Sequence, residues 1–187
     1  MSVTVSTRQP TSAIINAIIA AVTAVQLPDA GGVAFQRVAF FDSEKLVDAF
    51  KFLFITEQRV CVIVPLEERF ETVVQQPQLT VKRTLPVMIL VSDRVLGDAQ
   101  RTIALLGSNA GPVITPGAQG LMELVLPAVT GLLLPNPGGV LATPQSSCVM
   151  TISDKDRATM PGRVAVAMEF HCQGGTLTAQ LGRSPIT

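Results

Sequence analysis

The sequence predicts an α+β fold, an antiparallel (mixed) sheet of about four main strands packed against two to three helices. Three observations predict it. Arg163–Cys172 alternates cleanly, with Val164, Val166, Met168, Phe170 and Cys172 on one face and Arg163, Ala165, Ala167, Glu169 and His171 on the other. A period of two marks a strand whose faces meet different surroundings. Ala13–Val25 instead repeats its apolar residues at helical spacing. Between them, Val60–Val64 and Thr80–Asp93 are β-branched, apolar runs bounded by turn residues.

The elements follow in order. Residues 1–10 are polar and read as a flexible arm ending at Pro10. Thr11 or Ser12 then offers an acceptor to the first amides of a helix. Its stripe is Ile14, Ile15, Ile18, Ile19, Val22 and Val25, with Ser12, Asn16, Ala20 and Thr23 opposite. Arg8 lends this run the look of a signal-peptide core, but its sidedness favours a packed helix, and it is too short to span a bilayer. Pro28 and Gly31-Gly32 end that region, and Val33–Phe41 reads as an edge strand or a loop. Asp42 or Ser43 caps a second helix, with Leu46, Val47, Phe50 and Phe54 at helical spacing.

Val60–Val64 is apolar on both faces, which places it near the sheet centre. Residues 66–78 include Glu67, Glu68, Arg69 and Glu71 and read as a long loop or a protruding hairpin arm. Thr80–Asp93 is the longest strand, and Pro86, which lacks an N–H, predicts an edge position or a bulge there. Residues 97–120 form a second insertion, broken by Gly107, Gly111, Pro112, Pro116 and Gly117, with a short helix within 96–106. Leu121–Leu134 predicts a helix kinked at Pro127. Asn136–Gly139 is a turn, and Ser147–Ser153 alternates with Cys148, Met150 and Ile152 inward. A charged connection, 154–162, leads to the final strand, and 174–187 reads as a disordered or partner-bound tail. With no repeat and no linker, the chain reads as a single domain, 1–187.

Composition narrows the function classes. Charged residues make up 15% of the chain, against roughly 25% in ordinary globular domains. A surface so poor in charge reads as one that other subunits or a partner cover, with a monomer carrying large loops as the other reading. Net charge is zero and the longest basic run is Lys82-Arg83, which gives no footprint for specific nucleic-acid recognition or for an anionic membrane. Cys61, Cys148 and Cys172 lie far apart in apolar runs and read as reduced core residues. A Cys148–Cys172 bridge between neighbouring strands stays open at this level.

Catalytic chemistry finds little to stand on. His171 is the single histidine, and on a strand it points away from its neighbour Cys172. Gly107-Ser108-Asn109-Ala110-Gly111 lacks the lysine of a phosphate loop. Glu67 and Glu68 are adjacent and splay apart; Asp154-Lys155-Asp156-Arg157 lacks the glycine turn and closing glutamate of a calcium loop. The reading is therefore not an enzyme, with no catalytic, cofactor or metal residue assigned. A small hydrolase built on His171 with Cys172 or a serine is the distant alternative.

In the order of these elements the chain resembles the tail terminator (tail completion) proteins of long-tailed bacteriophages. The resemblance runs from 11 to 173, through the helix Thr11–Val25, the strands Val60–Val64 and Arg83–Asp93, the helix Leu121–Leu134, and the closing strands Ser147–Ser153 and Arg163–Cys172. It implies a homo-oligomeric ring, a hexamer, that caps the tail tube, ends its polymerisation and joins tail to head. The partners implied are further copies of the chain, the tail tube protein and neck or connector proteins. The place implied is the tail–neck junction of the virion, after assembly in the host cytoplasm. This chain is longer than the compact members, at 66–78 and 97–120. A head–tail connector or other neck ring is the alternative. Glu67, Glu68, Arg69, Asp156 and Arg157 are the candidate inter-subunit or partner contacts.

Overall fold

Two long strands carry the architecture of the computed structural model, which describes residues 3–4, 11–28, 32–55, 58–75, 78–94, 105–108, 116–132, 141–150 and 163–180. Strand β5 (Gln78–Arg94) and strand β7 (Arg163–Gln180) pair antiparallel from Gln78↔Gln180 to Arg94↔Arg163. Shorter strands complete both sides. On the β5 side, β3 (Val60–Pro65) pairs antiparallel with residues 87–92, and β4 (Arg69–Gln75) pairs with 78–84. On the β7 side, β6 (Leu141–Val149) pairs with 166–173, and β1 (Val3–Thr4) with 178–179. Strand β2 (Arg37–Phe40) lies parallel to β3, which makes the sheet mixed. The α+β class is as the sequence predicts, with seven strands where about four main ones were expected.

Three α-helices flank the sheet among the described residues: α1 (Thr11–Thr23), α2 (Leu46–Ile55) and α3 (Gly117–Val129). On one face, Ile14, Ile18 and Val22 of α1 and Leu121, Met122 and Val125 of α3 pack with Ile63, Val87, Ile89, Val166 and Phe170. On the other, Ala49 and Phe52 of α2 pack with Val60, Val62, Val64, Leu90 and Ala167. The alternation of β7 is thus real: Val164, Val166, Phe170 and Cys172 join the first core, and Ala165 and Ala167 the second. Strand β3 is buried on both faces, as its unbroken apolar run requires. Each fully buried side chain of this size stabilises the fold by about 1.5–3 kcal/mol.

Several local expectations resolve. Asp42 Oδ1 accepts from the Lys45 amide at 3.1 Å, capping the 3₁₀ turn Ser43–Lys45 that leads into α2. Val33–Phe41 contains the edge strand β2. Residues 69–75 take the hairpin alternative, because they pair antiparallel with β5 from Arg69↔Thr84 to Gln75↔Gln78.

Others are corrected. Pro86 sits in the middle of the sheet, opposite His171. Ladder β3–β5 ends at Val87 and ladder β4–β5 begins at Thr84, so its missing N–H falls in the gap between β3 and β4. Its carbonyl accepts from the Leu66 amide at 2.8 Å. The register shift lies nearby, between Lys82 and Thr84. Helix α3 starts at Gly117 and ends at Val129, two residues after Pro127, rather than running to Leu134. Strand β6 starts at Leu141, and Cys148 is exposed rather than inward. Val47 is exposed, and among the described side chains of α2 Ala49 is buried and Phe52 half-buried. The presumed tail past Gly174 continues as strand to Gln180, held by β5 and β1. Asn136–Gly139 and 151–162 lie outside the described residues.

Candidate functional site

The feature that sets this fold apart is the half of the sheet that leaves the cores behind. Among the described side chains, none of β4 and none of β5 before Leu85 belongs to either core. This half comprises β4, residues 78–84 of β5, the end of β7 and β1; it forms an arm. Phe70 and Val74 stand on one face of β4, 56% and 59% exposed. Arg69 and Glu71 stand on its other face and are exposed too.

A buried joint holds the arm to the body. The register shift between Lys82 and Thr84 takes Arg83 out of the β5–β7 ladder, and such a bulge re-aims a side chain. Arg83 is 5% exposed. Its guanidinium donates through Nε to Glu68 Oε2 at 2.9 Å and through Nη2 to both Glu68 Oε1 and Thr11 Oγ1. The Thr11 hydroxyl in turn donates to Glu68 Oε1 at 2.7 Å. One planar cation therefore ties the start of α1, the β3–β4 connection and β5 together, in the two-pronged geometry that suits arginine and a carboxylate.

A second polar cluster lies at the far end of β5. Asp93 Oδ1 accepts from the Arg94 amide at 2.8 Å and Oδ2 from the Gly117 amide, at the start of α3, at 3.2 Å. Burial pushes the Asp93 carboxyl up from its ordinary range, against the pull of the Arg94 and Gly117 amides and the charges of Arg59 and Arg163. Arg163 Nη1 donates to Ser92 Oγ at 3.0 Å, and burial lowers the Arg163 pKa to about 10, with Arg94 adding to the shift. Gly117 has φ +70°, and a Cβ there would stand 2.3 Å from the Gly107 amide nitrogen, so glycine is required on both counts. Through the Gly117 amide, Asp93 anchors the start of α3 to the end of β5.

His171 Nε2 lies 2.8 Å from Glu169 Oε1, two residues away on the same face of β7. Cys172 points into the opposite, helix-covered face and is buried there, which pushes its thiol up to about 11. The geometry therefore separates the imidazole from that sulfur. Strand β6 places Ala142 opposite Cys172 and Cys148 opposite Ala167, so Cys148 and Cys172 do not face each other. All three cysteines are free. Among the described residues no three His, Cys, Asp or Glu side chains gather as metal ligands, and no helix is long and apolar enough to cross a membrane.

Of the contact residues expected from the sequence, Glu67 and Arg69 are exposed beside the arm. Glu68 is half-buried, 22% exposed, and bonded to Arg83 and Thr11. Asp156 and Arg157 lie outside the described residues. Phe70, Arg83 and Asp93 escaped sequence reasoning. A charge embedded in the longest apolar run was the available signal for Arg83 and Asp93; Phe70 carried none. No family model and no curated protein matches the chain.

Proposed function

We propose that this protein is a structural ring subunit that caps a phage tail tube, ends its growth and offers its outer surface to the neck of the head. The observation that carries the reading is that, among the described residues, the sheet has open strands on both sides and an arm outside both helix-packed cores. A ring needs two different complementary surfaces on one subunit, and open strand edges with protruding arms supply such surfaces. The sparse charge of the chain supports it, because surfaces hidden between subunits are depleted in charged residues. The order of elements along the chain supports the tail-terminator form of the reading, with a hexamer as the expected ring and tail tube and neck proteins as partners at the tail–neck junction of the virion.

The test is assembly. Purified protein should form closed rings in electron micrographs and bind one end of isolated tail tubes, halting their elongation by added tube subunits. A protein that stays monomeric at high concentration and leaves elongation unchanged overturns the reading. Rings that bind emptied capsids and ignore tubes would instead make it a head–tail connector.

A further inference from the structure

We infer that β4 is a self-pairing edge, and that two copies of this chain join their β4 strands antiparallel about a two-fold axis at Phe70. Strand β4 offers seven residues, Arg69–Gln75, paired to β5 along one side. Among the described residues no strand pairs with its other side. An open edge presents unpaired N–H and C=O groups that template a further strand. The remaining open edges are poorer. Strand β1 has two residues, and β2 carries one charge, Arg37, which cannot complement itself across a dyad. Strand β6 carries Pro144, which has no N–H, beside a register shift. Strand β4 has no proline and no register shift against β5.

Charge selects the occupant and the register. Across a dyad, residues equally spaced on either side of the axis stand opposite each other. An axis at Phe70 sets Arg69 against Glu71 of the second copy and Glu71 against its Arg69, both on the exposed face away from Phe70, so the two β4 strands overlap over residues 69–71 and Thr72 falls opposite Glu68. Lys82 already stands opposite Glu71 on β5, so charges alternate across the joined strands. Phe70 meets Phe70 on the other face. An axis at Arg69 or Glu71 would oppose like charges, and one at Thr72 would set Glu71 against Val73. Both halves of the complementary pattern stand on one strand, so the occupant is a second copy of this chain. The contact is isologous while ring closure is heterologous, so it does not rest on the ring reading.

The experiment places single cysteines at residues 69 to 74 in a Cys148→Ser background and follows disulfide-linked dimers under mild oxidation. Phe70→Cys should link about tenfold faster than Thr72→Cys, because only residues at the axis bring identical positions within disulfide reach. Light scattering forms the second arm: Arg69→Glu and Glu71→Arg should each lower the even-numbered species, and the double swap should restore them. A linking profile without a maximum at residue 70, or a double swap no better than its parents, overturns the proposal. Should Phe70→Cys fail to fold, the charge-swap arm decides alone. Closed rings that never pair would sink this contact and leave the ring standing; linked dimers without rings would do the reverse.

Discussion

Cys61, Cys148 and Cys172 show how one residue type takes two fates. Cys61 and Cys172 sit in the core between the sheet, α1 and α3, where burial raises both thiols and disfavours the reactive thiolate. Cys148 lies exposed on β6. An aromatic disulfide reagent should therefore modify one thiol rapidly in the native protein and three in denaturant; fast native modification of two or more would contradict the packing. Gly117 is the other decisive single position. Gly117→Ala must adopt φ +70° and drive a methyl into the Gly107 backbone, at a cost of about 2 kcal/mol or more. A urea midpoint equal to wild type would refute that contact. Neither residue was readable in advance. Gly117 looked like one breaker among several, and Cys148 shared the apolar alternation of its neighbours. Burial of β6 depends on how far the helices reach over it, which no local pattern encodes.

At the scale of elements, β3 and β7 were legible because each has one consistent neighbour on each face, so side-chain pattern and environment agree. Strand β5 was legible in extent and misread at Pro86, since the gap between β3 and β4 exists only once both strands are placed. The strand beyond Gly174 was misread as a tail, because glycines weaken a strand locally while pairing with β5 and β1 holds it. The joint between arm and body makes its own prediction. Arg83→Met keeps most of the stem and removes the cation, which leaves the Glu68 carboxylate without its two-pronged partner. The loss should be about 1–3 kcal/mol, since Glu68 keeps some contact with water. Adding Glu68→Gln to that variant should recover part of it. A double-mutant cycle with no coupling would show that the joint does not hold the arm.

For the whole molecule, Asp93 links the fold to pH. Its carboxyl is raised in the folded state, chiefly by burial. The sign follows from linkage: the folded chain holds this proton more tightly than the unfolded one, so the contribution is complete below the unfolded value of about 3.9 and is lost as pH rises through the folded value. Wild-type stability should thus fall with rising pH over that window relative to Asp93→Asn, in which the slope is absent. Paired urea titrations measure it, and parallel pH profiles for the two proteins would rule out the raised carboxyl.

The sequence by itself determined the class of fold, the helix that starts at Thr11, though not its end at Thr23, and the two-faced strand at 163–172, because helical and strand periodicities are local and follow from backbone geometry. Only the tertiary structure decided that the end of β7 joins a hairpin to make an arm, that Glu68 turns inward to Arg83, and that β4 pairs on one side alone among the described residues. Those outcomes depend on pairings between residues far apart in the chain, where long-range registry overrides local preference.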